Sequence, residues 1–344
     1  MKNWMNNSRF MYIVMLSVAG VILCIFIGFN LYLDRWASGN DGSRTEDIAY
    51  TYHLAMISAV PSDAFWETMY GEAVRAGAEM EEPVYPEDFG AGLTEDYTAE
   101  ELVRMAVAAR VDGIVVEADM TEEMCDIIEE ASKAHIPVVT LMDDAPDSPR
   151  ISYVGANTYT MGEMYGREVL EAVPADGSSV AVLVPANEDN VNPSYVYSGI
   201  SSAIAEASKN IDVFTVRTGE DRDFVSEETV RNLLLDEEKR PDVLVCLSAV
   251  DTISAYQCVR DYNLVGQVKI IGTYVSTEIL EGIGNGVIQS TIVVDAREAG
   301  QRCIQAMSEY MAQRYTNEYF PLAVELINRD NVDEYIDGES GEQG

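Results

Sequence analysis

The side chains able to do chemistry are unevenly supplied in this chain of 344 residues: two histidines and five cysteines stand among 59 acidic residues and 22 lysines and arginines. His53 opens a β-rich run and His135 closes a helical one, so a histidine-based zinc site or a Ser-His-Asp relay has almost no raw material. Cys125, Cys246, Cys258 and Cys303 lie far apart in apolar segments with no C-x-x-C pair, the pattern of small buried hydrophobes. The chain carries no G-x-G-x-x-G after its first strand, no phosphate loop, no G-x-S-x-G and no H-E-x-x-H. Nucleotide use, acyl transfer and zinc hydrolysis therefore have no local support. Asp143-Asp144 could exchange protons, but acid pairs are cheap in so acidic a chain. Neither enzyme activity nor a metal or cofactor is expected.

What the chain does carry is a series of polar and aromatic residues placed directly after β-rich runs. Asp63, Phe65 and Trp66 follow the run 53–60; Asp143 and Asp144 follow 136–141; Asn187 and Tyr195 belong to the long polar stretch after 180–185. Ser248 and Asp251 follow 243–247, Tyr274 follows 268–273, and Asp295 follows 287–293. Phe65 and Trp66 cannot both enter the same core, and Trp66 is expected to face a crevice as a binding surface. The plainer reading makes Trp66 a core filler, Asp63 and Ser248 or Asp251 helix caps, and the remaining acids solvated turns. Taken together, rings that cover apolar sugar faces and carboxylates and amides that fix hydrogen bonds suit a small hydroxyl-rich ligand.

These positions acquire meaning from the elements that must hold them. Short apolar runs such as Gly113 to Glu117, Ile136 to Leu141, Val180 to Pro185 and Val243 to Leu247 alternate with stretches of helical period, for example 64–80, 99–110, 121–134 and 252–263. Such alternation predicts an α/β fold with parallel sheets covered by helices. The number of strands exceeds what one sheet holds comfortably, and the list breaks near Gly155, so two Rossmann-like lobes are expected. In such folds ligands bind beyond the carboxyl ends of the strands, where the residues above fall.

From Phe10 to Leu33 run 24 residues without a charge, enough at about 1.5 Å per residue to cross a roughly 30 Å hydrocarbon layer. Lys2 and Arg9 precede it, whereas Asp34 and Arg35 cancel behind it, which orients the body outside the cytoplasm. The run is longer than a signal-peptide core and no small-x-small site follows closely, so an uncleaved single-pass cell-membrane anchor is expected. A net charge of -37 argues against nucleic acid and against attachment by a basic patch. With 47% apolar and 24% charged residues, the rest has enough apolar material for real cores.

The order of segments resembles the type I periplasmic binding proteins, specifically the ribose and galactose binding group that shares its fold with the lactose-repressor family. The carriers are HLAMISAVPSDAFW, DGIVVE, IPVVTL, YVGANTYTMGEMYG, VLVCLSAVDTISAYQCV, KIIGTY and GNGVIQSTIVVDAREAG, seven pieces in the family's order between Thr51 and about Asn331. The resemblance implies two lobes joined by three chain crossings, near Gly155, Val294 and Leu322, that close on a ligand like a hinge. With these crossings one lobe is expected at 51–155 plus 295–321 and another at 156–294 plus 322–335; the apolar run and the composition around it add a cytoplasmic segment 1–9, an anchor 10–33, a linker 34–50 and an acidic tail 336–344. Ligand contacts are implied at Asp63, Phe65, Trp66, Met142 to Asp143, Tyr195 to Val196, Ser248 to Asp251, Tyr274 and Val294 to Asp295. The group's sugar binders usually have an arginine near Val196, an aspartate at the place of Tyr274 and a polar residue near Val294; this chain has none of the three. A repressor would need a basic DNA-binding helix pair where this chain has its apolar run. The expected function is capture of a small polar solute, a carbohydrate, for an ABC-type permease, with delivery to a membrane sensor kinase as the alternative.

Overall fold

The computed structural model describes residues 49–336 except 59–63, 94–96, 119–120, 174–176, 186–191, 208 and 220–222. The expected anchor at 10–33, the linker up to residue 48 and the tail from 337 lie outside the described residues. Among the described residues, no helix is long and apolar enough to cross a membrane.

The first lobe begins with β1 (Tyr52–Ile57), α1 (Ala64–Glu79), β2 (Val84–Asp88), α2 (Ala99–Ala109), β3 (Gly113–Glu117), α3 (Glu122–Lys133), β4 (Val138–Leu141) and β5 (Ser152–Gly155). The second contains α4 (Thr158–Ala172), β6 (Ser179–Pro185), α5 (Asn192–Glu206), β7 (Asp212–Thr218), α6 (Asp223–Leu235), β8 (Val243–Cys246), α7 (Ala249–Asp261), β9 (Lys269–Thr273), α8 (Thr277–Gly284) and β10 (Ile288–Val294). The chain then returns to the first lobe as α9 (Ala296–Gln313) and β11 (Tyr319–Pro321), and crosses once more as β12 (Val324–Asn328).

Two six-stranded sheets result, ordered β11-β5-β4-β3-β1-β2 and β12-β10-β9-β8-β6-β7. Every pairing in the first is parallel; in the second only β12, beside β10, runs antiparallel. Helices cover both faces, which is why strands such as GIVVE are apolar throughout instead of alternating. On β1, Leu54 and Met56 enter one core with Trp66, Met69, Cys303 and Met307, while Ala55 and Ile57 enter the other with Leu102 and Ile127. This is the two-residue period of a strand buried on both sides. Helix starts are marked in sequence: Thr98 and Glu101 form a reciprocal capping box on α2, and Thr121 caps α3.

Several elements escape a reading by pattern. β2 carries Pro86 among acids, yet it is an edge strand, where a missing N–H costs no ladder bond. β11 has three residues, β12 alternates weakly, and α8 has eight residues with two glycines, all below the length at which a period can be recognised. The lobes are bridged where the chain crosses. Leu322 donates its N–H to the Gly155 carbonyl at 3.0 Å, and Asp295 donates to the Ala323 carbonyl at 3.2 Å, so the three crossings are hydrogen-bonded side by side.

Candidate functional site

A parallel sheet with alternating helices delivers every strand end and the following helix start to one edge. Register fixes that edge in the first lobe: Met56 pairs with Asp88, Ile57 with Val116 and Glu117 with Leu141. Ser58, just past β1, donates its hydroxyl to Glu117 at 2.7 Å. Asp88, at the end of β2, accepts the Trp66 indole N–H at 3.3 Å; burial pushes its carboxyl up and the indole pulls it partly back. Met142 follows β4 with φ +64, its carbonyl held by the Tyr153 hydroxyl at 2.7 Å, which turns Asp143 onto the same edge.

The second lobe presents Ser248 after β8, Tyr274 after β9 and Asp295 after β10. Ser248 caps α7 by accepting the Asp251 N–H at 3.1 Å. Asp295 caps α9, accepting from the backbone of Arg297 at 2.9 Å and Glu298 at 3.0 Å. Tyr274 reaches out of its own lobe: the Phe65 N–H, in the first turn of α1, donates to the Tyr274 hydroxyl at 3.0 Å. The strand ends of the two lobes therefore share one interlobe space.

The structure sorts the expected ligand contacts. Phe65, Asp143 and Tyr274 stand at the interlobe edge, and Tyr195, on α5, is 55% exposed. Trp66 is not presented to the crevice: it is 2% exposed, packed with Leu54, Met56 and Met69, because Phe65 takes the outward position of the pair. Asp144 turns away into a bidentate pair with Arg150, whose second contact is 2.7 Å, and also accepts from Thr140 at 3.1 Å. Asp251 is 1% exposed and takes hydroxyl donors on both oxygens, from Thr218 at 3.0 Å and from Ser226. It thereby pins β7, α6 and α7 to one another. Ser248 and Asp295 spend side-chain acceptors on helix ends. Asp63 and Asn187 lie outside the described residues.

Sequence reasoning passed over Ser58, Asp88 and Glu117. Glu117 carried a usable signal, since it ends an apolar run just as Asp143 does; Asp88 did not, because its strand was unreadable. Asp88, Glu117 and Asp143 supply carboxylate acceptors on this edge, the complement of a solute that donates hydroxyls. Among the described residues no group of three or more His, Cys, Asp or Glu is placed to hold a metal. A recess of about 360 Å³ lined by Tyr52, Arg110, His135 and Arg314 lies at the amino ends of β1, β3 and β4, the opposite edge from this one.

Two parallel α/β lobes, three adjacent crossings and polar groups converging between the strand ends define the class of hinged binding proteins. The chain belongs to the periplasmic binding protein domain family, whose profile matches residues 54–314. Among solved structures it is similar to GanP, a glucose-galactose binding protein from Geobacillus stearothermophilus, at 22% identity and a TM-score of 0.72, over 82% of this chain and 99% of that one. It is similar to XylFII at 26% identity and a TM-score of 0.68, over 82% of this chain and 100% of that one. A XylFII–LytSN complex matches at 25% identity, with a TM-score of 0.67, over 82% and 99%. No curated protein sequence matches the chain.

Proposed function

We propose that this protein captures a small polar solute, a carbohydrate, between its two lobes and performs no reaction on it. The observation that carries this reading is the convergence of strand ends from both lobes on one space, with Phe65 of one lobe within hydrogen-bond reach of Tyr274 of the other. Closure of such a space around a solute couples occupancy to the relative position of the lobes, because contacts to both are complete only when they meet. Carboxylate acceptors and exposed or edge-placed rings are the complement of a neutral polyhydroxyl ring. The similarity to GanP, a glucose-galactose binding protein, supports the same reading.

In this proposal residues 10–33 tether the body to the outer face of the cell membrane, and the solute is delivered to an ABC-type permease. A second reading, in which the closed body reports to a membrane sensor kinase, is favoured by one observation: XylFII, 26% identical to this chain, is also solved as a complex with LytSN.

The test is a thermal-shift screen of the full chain in detergent against pentoses, hexoses, polyols and amino acids. A solute at a hundredfold its dissociation constant adds about 2.7 kcal/mol, which is roughly 5 to 10 °C for lobes of this size. A response to sugars alone is expected; silence towards all of them would leave a ligandless adaptor. Transport and signalling separate on whether permease or kinase fragments co-purify with the sugar-loaded protein.

A further inference from the structure

Where α2, α3 and α9 end, the chain turns through the left-handed region: Arg110 has φ +58, His135 φ +64 and Arg314 φ +57. Glycine or asparagine is the easy residue there, because a larger side chain crowds the following carbonyl. Helix ends of the second lobe use such residues, with Asn263 at φ +58 after α7 and Gly286 at φ +74 after α8. In the first lobe two guanidinium groups and an imidazole stand at these positions, and all of them line the recess of about 360 Å³ at the amino ends of β1, β3 and β4.

Closing the helices does not account for these side chains. The carbonyls left over at the helix ends are met by backbone: the Arg110 N–H donates to Val107 at 3.1 Å, the Ile136 N–H to Ala131 at 3.0 Å and the Arg314 N–H to Tyr310 at 2.8 Å. A cation complements the carboxyl end of a helix equally well from the last turn, yet the last turns of α2 and α9 hold no basic residue. Ion pairing does not account for them either. Among the described residues neither Arg110 nor Arg314 lies within ion-pair distance of a carboxylate, whereas Arg75, Arg104, Arg150 and Arg302 do, in a chain with 59 acids against 22 lysines and arginines. Arg314 lies over the Tyr310 ring at 6.0 Å. Asp112, the acid in the recess wall, accepts the His53 N–H at 2.8 Å, and Glu82 accepts the hydroxyl of Tyr52 at 3.0 Å.

We propose that this recess is a second ligand site, at the opposite edge of the first lobe from the interlobe space, and that it takes the phosphate group of a small phosphate ester, free or as the headgroup of a lipid. Two guanidinium forks supply paired N–H donors matched to phosphate oxygens, and the His135 imidazole adds another donor. The volume falls in the range of small-molecule clefts, roughly 300–1,000 Å³, and Val107, Ile136 and Met311 give the organic part of the ester an apolar wall. The chain's net charge of -37 repels anions at a distance, but physiological salt screens that field beyond about 8 Å, so the groups at contact decide binding.

The test is calorimetric titration of the full chain in detergent with glycerol 3-phosphate, for the wild type, Arg110→Asn and Arg314→Asn. Asparagine removes the cation and suits the left-handed backbone, so each variant is expected to melt at or above the wild-type temperature. Each should nevertheless weaken binding about tenfold, the scale of one lost charge-assisted hydrogen bond. Should either variant fail to fold, the glycine replacement at the same position is titrated with the same criterion. Affinity unchanged in both variants would overturn the site, and a lowered melting temperature with unchanged affinity would assign the arginines to the helix ends instead. The source of the phosphate is read from hydrogen exchange of segments 107–112 and 134–137 in micelles doped with phosphatidylglycerol or, as the control, phosphatidylcholine. Slowing by phosphatidylglycerol that either variant abolishes would identify a lipid headgroup, and slowing by glycerol 3-phosphate alone a soluble ester. If the wild type responds to neither, the proposal is overturned, while sugar binding between the lobes is decided separately by the thermal-shift screen.

Discussion

The carboxylate of Glu298, in the first turn of α9, accepts the backbone N–H of Ala323 at 3.0 Å and is itself held by Arg302 at 3.0 Å. It joins the second crossing, where α9 starts, to the third, where the chain leaves β11 for β12. The Ala323 N–H, with burial opposing and Arg302 assisting, holds the Glu298 carboxyl below the usual range. A lowered carboxyl pKa contributes stability that is present above the unfolded value, near 4.3, and lost as pH falls through the folded value. Glu298→Gln keeps the shape but removes the charge, so it is expected to lose about 1 kcal/mol at pH 7. The difference should shrink towards pH 3, as read from urea unfolding at both pH values.

Trp66 is a structural residue whose replacement damages the first lobe. Trp66→Ala is expected to cost about 3–5 kcal/mol, the range for emptying a large aromatic site in a core. Trp66→Phe retains most of the packing but orphans Asp88, and should cost about 1.5–3 kcal/mol. Denaturant unfolding measures both. A Trp66→Ala protein of unchanged stability would place the indole outside the core.

Glu168, on α4, is 6% exposed and accepts the Ser290 hydroxyl at 2.6 Å. Burial, only partly offset by that bond, raises its carboxyl above the ordinary range. The folded state then holds the proton to higher pH than the unfolded state, so its stability falls as pH rises from the ordinary carboxylate range through the raised value. Glu168→Gln, which cannot ionise, is expected to raise the melting temperature at pH 7 by about 2–4 °C, equivalent to roughly 1 kcal/mol. Scanning calorimetry should find no gain at pH 4.

The packing of α4 on α5 leaves no room for a side chain at Gly162, where an added Cβ would lie 2.2 Å from the Val196 carbonyl oxygen. Gly162→Ala would gain about 1 kcal/mol of helix propensity, but the two helices must separate to relieve the backbone clash. A net loss of about 1–3 kcal/mol is expected in urea unfolding. A more stable variant would contradict the close approach.

Much of this architecture can be read from the residues in order. Apolar runs such as GIVVE and VLVC, each followed by a stretch of helical period, specify parallel strands buried on both faces and the helices over them, because only that arrangement leaves no hydrophilic face on the strands. The same rule places Phe65, Asp143, Tyr274 and Asp295 at strand ends. Beyond that point pattern gives out. Edge strand β2 is interrupted by Pro86, β11 is too short to show a period, and which of two adjacent aromatics turns inward depends on neighbours that come from far along the chain.

What sequence alone determined is therefore the kind of fold and the edge on which its polar groups gather, since both follow from local periodicity and the direction of the chain. Tertiary structure decided the role of each group there. Trp66 goes inward because Met69, Leu54 and Asp88 meet it; Asp251 is consumed because Thr218 and Ser226 arrive from other elements; Tyr274 becomes a bridge because the crossings bring a helix start of the other lobe within 3.0 Å of its hydroxyl. Those are contacts between residues up to 209 positions apart, and hydrogen bonding and burial act through space, where spacing along the chain carries no information.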